Sequence, residues 1–308
     1  MAEAMTDAAA TARASAEASR RDALAELEKG AFAAALACYD AALASARETA
    51  DPAFVDWIYV CRAAAAAETG PAADELVELK RILLRSREPQ TAFRAAYSSA
   101  AIYRQRKERN KVFFYANLAR RHAEEIGDPR LIGACFNEVG NALAADSRFG
   151  EAAAAYRSAL ERTASEAGLL SVPRAQWSDS LGYCLIAQDQ VPEGLALVHA
   201  ALDTLEKESA RGFTVYPLLD LCFGYLKQDR YEEARWFGEE GLSRVAVAGD
   251  LEAEKNLLYL LGEASHLSGD AASSQDYFDR LARLYPDFRN LRAYLDVFDF
   301  RNVINLRS

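Results

Sequence analysis

A unit of about 40 residues returns four times in the second half of this 308-residue sequence. Aligned without gaps, Phe136–Leu160, Ser178–Leu202, Leu218–Leu242 and Leu258–Ala282 follow one pattern. An apolar residue stands beside a small one (Val139-Gly140, Leu181-Gly182, Leu221-Cys222, Leu261-Gly262). A polar turn follows (Asp146-Ser147, Gln188-Asp189, Gln228-Asp229, Ser268-Gly269), then a second small residue (Ala152, Gly194, Ala234, Ser274). Such a unit is expected to be a helix pair. A small residue on each helix lets two antiparallel backbones approach, and larger apolar side chains fill the flanks. One pair leaves an apolar face bare, so the next must cover it, and the chain is driven toward a stacked array.

The second-helix small residues lie 42, 40 and 40 positions apart. Towards the start of the sequence, Ala116 and Ala35 fit the same place, and Asp74–Leu84 stands at the expected distance without a small residue. Ala, Leu, Glu and Arg, all strong helix formers, dominate, and alternating Val/Ile/Thr runs are nearly absent. The expectation is an all-α solenoid of about seven antiparallel helix pairs over 14–288, degenerate in 14–126 and well formed in 130–288. Residues 1–13 are expected to be disordered. Residues 289–308, which carry the apolar Tyr294, Val297, Phe298, Ile304 and Leu306, are expected to form a C-terminal capping helix that seals the last pair. The other reading of that apolar helix is an interface, including a homodimer.

The apolar-small pair, the polar turn and the second small residue resemble the tetratricopeptide repeat family, especially its longer-period bacterial members, where turns such as Gly127-Asp128-Pro129 link units. The resemblance covers roughly 14–288; the first unit, RRDALAELEKG, lacks the Leu-Gly pair. It implies a right-handed superhelix whose first helices line a concave groove for peptides or proteins. Asn141, in VGNAL, stands where peptide-binding members carry an Asn that bonds the ligand backbone, a task suited to an amide with both donor and acceptor. Co-chaperone members clamp a terminal carboxylate with a Lys/Arg/Asn set that is not complete at matching places here, so that ligand is not implied.

Charge and composition narrow the partners. A net charge of −10 and a pI near 5.0 argue against nucleic acid and against an anionic membrane. The basic run Arg104–Lys111 reads as a solvated turn. No apolar run approaches the ~18 residues of a membrane span, and the Ala-rich start lacks the pattern of a signal peptide, so a cytoplasmic location is expected. Five scattered cysteines without a CxxC pair read as small buried residues of a reducing compartment. Three histidines (His122, His199, His266) form no metal-binding spacing, and no phosphate loop or nucleophile elbow is present. No catalytic residue, metal or cofactor is expected.

Projected at 3.6 residues per turn, the face of each first helix turned away from its partner holds Asn137 and Asn141, then Asp179 and Tyr183, then Tyr216, Phe223 and Lys227, then Asn256, Tyr259 and His266. Arg106 joins them from an earlier unit. Tyr183, Phe223 and Tyr259 form an expected aromatic ladder of the kind that anchors binding hot spots; the competing reading packs the same rings between repeats. The expected function is a non-catalytic scaffold or adaptor that binds a peptide or protein segment in the groove. The alternative is a regulatory solenoid that controls a separate effector protein. An enzyme on a helix-pair scaffold is remote, because no clustered acid/base or metal set stands in the sequence.

Overall fold

The computed structural model describes every residue except 1, 29–30, 70–73, 249, 296, 303 and 308. Among the described residues the chain forms fifteen α-helices and no strand. They divide into two compact units, Met1–Ala142 and Leu143–Ser308. The first holds α1 (Ala2–Glu28), α2 (Phe32–Arg47), α3 (Pro52–Thr69), α4 (Glu75–Arg85), α5 (Pro89–Gln105), α6 (Arg109–Ile126) and most of α7 (Pro129–Ala145). The second holds α8 (Phe149–Arg162), α9 (Ser171–Ala187), α10 (Val191–Lys207), α11 (Val215–Lys227), α12 (Tyr231–Ala248), α13 (Leu251–Leu267), α14 (Ala271–Leu284) and the short α15 (Leu291–Leu295).

In the first unit, α1 packs on α2 and α5 on α6 as antiparallel partners. Helix α1 begins at Ala2, well ahead of the helix start expected near residue 14, and it buries Ala12, Ala16 and Ala23. The degenerate second pair is also explained. Helix α4 has only eleven residues and uses Leu76, Leu79 and Ile82 as its buried stripe, so α3 packs more extensively on α5 than on α4. Three side chains of the basic run are paired within the chain. Arg104 donates to the buried Glu138 at 2.7 Å, Arg106 pairs with Glu108 at 2.8 Å, and Lys111 also pairs with Glu108.

The second unit shows why the repeat reads as it does. The second residue of each polar turn sits in the left-handed region: Ser147 at φ 58°, Asp189 at 63°, Asp229 at 58° and Gly269 at 84°. Glycine, and to a lesser degree Asp, tolerate that region at low cost, and the turn reverses the chain in two residues. The small residues then let the backbones meet. A Cβ on Gly194 would stand 2.6 Å from the Gly182 carbonyl oxygen, and one on Gly182 would stand 2.8 Å from the Gly194 oxygen. Two turn aspartates also cap helices: Asp250 accepts from the Ala253 amide at 3.0 Å and Asp270 from the Ser273 amide at 3.0 Å.

The segment after residue 288 departs from expectation. In place of a capping helix over 289–308 there is the five-residue α15, then a 3₁₀ turn at Phe300–Asn302, then irregular chain. Tyr294, Val297 and Phe298 are exposed, while Leu306 is buried. After the short α15, which packs on α14, the segment runs back across the first helices of the second unit.

Candidate functional site

Helices α9, α11 and α13 lie side by side, each backed by its partner α10, α12 or α14. They form the inner face of the second unit, and residues 299–302 and 304–307 lie along it. Asn305 is the first anchor. Its amide nitrogen donates to the Ala144 carbonyl at 2.8 Å and to Ser147 Oγ at 2.9 Å, at the turn after α7. Its amide oxygen accepts from the Tyr183 hydroxyl at 3.0 Å and from the Arg307 amide at 2.8 Å. The Tyr183 oxygen in turn accepts from the Leu306 amide at 2.9 Å, and Asn256 Nδ2 donates to the Leu306 carbonyl at 3.0 Å. Both backbone polar groups of Leu306 are therefore satisfied by side chains of α9 and α13, as a strand's would be by a neighbouring strand.

Arg307 is the second anchor. Its Nη2 donates to Asp220 Oδ2 at 2.6 Å and stands 4.0 Å from Asp179 Oδ2. Its guanidinium lies 4.5 Å from the Tyr183 ring centroid and 4.8 Å from that of Tyr216, within the range of a cation–π contact. Asp179 is 4% exposed and Asp220 is fully buried. Burial, reinforced by the neighbouring Asp220, raises the Asp179 carboxyl well above the usual carboxylate range. Burial pushes Asp220 up to about 6 against the opposing pull of Arg307. Burial works against the Arg307 charge too, but Asp220 and Asp179 together hold the guanidinium above its ordinary value. Burial thus works against charge on both carboxyls, and the Arg307 guanidinium beside them opposes it.

A third contact lies further back in the segment. Arg301 pairs with Asp229 at 2.5 Å, in the turn between α11 and α12, and with Asp299 at 2.8 Å. Beside it, a cavity of about 170 Å³ is lined by Tyr259, Leu281, Phe288, Phe300 and Ile304. Glu263 is buried next to Tyr259, and burial raises its carboxyl to about 7.

The folded chain prefers Glu263 protonated, so the stability it permits is fully present below pH 4.5 and lost as pH rises through about 7. Glu263→Gln removes the titration. At pH 8 the variant should be more stable than the parent by on the order of 3 kcal/mol, and at pH 4.5 nearly equal to it. Thermal unfolding at the two pH values measures this, and equal differences at both would contradict it.

The residues expected on the groove divide by unit. Asp179, Tyr183, Tyr216 and Asn256 meet residues 305–307 directly, and Tyr259 lines the adjoining cavity. Phe223 is core, its ring 6.1 Å from that of Tyr183, and Lys227 is engaged by Asp189 at 2.5 Å. His266 is half-buried in the last turn of α13. Arg106, which is exposed, and Asn137 and Asn141, both half-buried on α7, belong to the first unit. The aromatic ladder has two rungs. Glu263 stands 40 residues after Phe223, and Tyr259 lies one helical turn earlier. Asp220, Arg301, Asn305 and Arg307 were not anticipated. For Asp220 the available signal was an acid inside the otherwise apolar first helix LLDLCFGYL.

No family model and no curated protein matches the sequence. Solved structures do match. The apo form of RapI superposes with a TM-score of 0.68 at 12% identity, covering 89% of this chain and 99% of that one. NprR in complex with its cognate peptide NprX gives 0.64 at 13%, covering 91% and 82%. Aspartyl phosphate phosphatase F from Bacillus subtilis gives 0.67 at 12%, covering 90% and 72%. The fold is a tetratricopeptide-type helical repeat. At these identities the likeness concerns the fold alone, and the repeat's use is a matter for the site itself. Other features of the repeat fit packing roles. Cys61, Cys135, Cys184 and Cys222 are buried, and burial raises the Cys135 and Cys184 thiols to about 12. Among the described residues, no helix is long and apolar enough to cross a membrane.

Proposed function

We propose that the chain is a protein-interaction scaffold whose second unit binds an extended peptide segment along the inner face of α9, α11 and α13. The observation that carries this reading is the seat of Leu306, whose backbone amide and carbonyl are read by Tyr183 and Asn256 while its side chain is buried. Contacts to backbone groups give affinity for a main chain of any sequence, and a pocket beside them selects the side chain. In NprR the same fold is seen in complex with a peptide, which agrees with this use. The chain acts here by holding a segment, and control of a separate effector protein is one form such holding takes.

The test uses the full chain carrying Arg307→Ala, to loosen its own segment, and a fluorescein-labelled heptapeptide of residues 302–308 as probe. Saturable binding by fluorescence anisotropy is expected. Adding Asn256→Ala should weaken it about fivefold or more, the worth of one hydrogen bond of about 1 kcal/mol. Absence of saturable binding overturns the reading.

A further inference from the structure

The geometry points to the Asp179–Asp220 pocket as an arginine-recognition site for a partner peptide, in which Arg307 of the chain itself is the resident ligand that the partner displaces. This rests on the groove reading above and specifies its ligand class.

Three features of the pocket select arginine. The first is planarity. The guanidinium lies close to the rings of both Tyr183 and Tyr216, at 4.5 and 4.8 Å from their centroids; a flat, weakly hydrated cation exploits such faces better than an ammonium does. The second is the pair of buried acids. Two carboxyls without an intervening cation are costly in a dry site. Asp179 Oδ1 and Asp220 Oδ1 have no hydrogen-bond partner among the described residues, and Asp220 Oδ2 accepts from the guanidinium at 2.6 Å. The third is the fit of what precedes the arginine. The Tyr183 hydroxyl, Asn256 and the turn at Ser147 read an amide side chain and both backbone polar groups of the residue immediately before it. The ligand class is a segment of the form Asn-apolar-Arg, presented in trans.

The charged groups that face the arginine are Asp179 on α9 and Asp220 on α11, with Asp250, which accepts from the Tyr216 hydroxyl at 3.0 Å, behind the ring. None of them is basic, so the counter-charge to the two acids comes from the Arg307 guanidinium.

The experiment again uses the full chain with Arg307→Ala and the labelled 302–308 heptapeptide, now compared with versions carrying Arg307→Lys, Arg307→Ala or citrulline at position 307. Citrulline keeps the shape of arginine and removes its charge. A tenfold or greater loss of affinity is expected for each altered peptide. The chain carrying both Arg307→Ala and Asp220→Asn should bind the arginine and citrulline peptides within threefold of each other. The peptide series leaves the protein unchanged, so it decides the matter even if the Asp220 variant fails to fold. Equal affinity for all four peptides overturns the arginine pocket and leaves the groove standing; no binding by any of them overturns the groove itself. A parent chain that is dimeric and becomes monomeric on Arg307→Ala places a second copy's segment in the pocket, and also overturns the inference.

Discussion

Arg307→Ala will release residues 299–307 from the inner face of the second unit, and trypsin will then cut after Arg301 about 100-fold faster than in the parent. The reasoning starts from burial. Removing one partner of a buried ion pair costs about 3–5 kcal/mol, because the other charge is left in a dry site. Here the cost is moderated, since the raised carboxyls of Asp179 and Asp220 take up protons. A loss of about 3 kcal/mol in docking corresponds to roughly a hundredfold rise in the open population, and cleavage of a transiently opened segment tracks that population. Arg307→Lys should fall between the two, keeping a charge but losing the planar fork and the faces of Tyr183 and Tyr216. Cleavage after Lys107, in the turn between α5 and α6, serves as the internal reference and should not change. Mass spectrometry of a limited digest reads both sites, and identical rates after Arg301 in parent and variant would falsify the docking described here.

The second large effect lies where helices touch. Gly194→Ala should destabilise the second unit by about 2–3 kcal/mol, lowering Tm by roughly 5–10 °C. The added methyl would meet the Gly182 carbonyl oxygen at 2.6 Å and Ile186 Cγ1 at 2.7 Å. One contact is backbone, which has nowhere to swing, so α9 and α10 must part. Alanine's better helix propensity returns at most about 1 kcal/mol, which is too little to reverse the sign. Gly168, with nothing near its virtual Cβ and no positive φ, is the control: Gly168→Ala should be neutral or stabilising by a few tenths of a kcal/mol. Differential scanning calorimetry distinguishes the two, and a neutral Gly194→Ala would mean the helices are not held at the observed separation.

The parts of this molecule legible in the sequence are those fixed by neighbours in the chain. Ser147, Asp189, Asp229 and Gly269 occupy the same left-handed position, and their recurrence in the sequence located the turns. Gly182 and Gly194 marked the helix contact because only small residues survive there. Helix faces are legible for the same reason, and Asp179, Tyr183, Tyr216 and Asn256, which share a face in the sequence projection, all contact residues 305–307. What covers them was not. The apolar pattern of 289–308 satisfies a helix locally, but Leu306 and Arg307 gain more by reaching partners 50 to 123 residues away. Asp220 was missed because an acid within LLDLCF has no local sign of being buried. Its partner is 87 positions distant, and no periodicity connects them.

In a linear array each helix pair touches only its neighbours, so the last pair can fray while the rest stays folded. Residues 305–307 break that rule. They fasten the turn after α7, α9, α11 and α13 together through one short stretch of chain. The second unit is therefore closed like a belt on its own buckle: its terminal pair cannot peel away without undoing contacts at the opposite end, and its repeats share one opening event where an unbuckled array would have several.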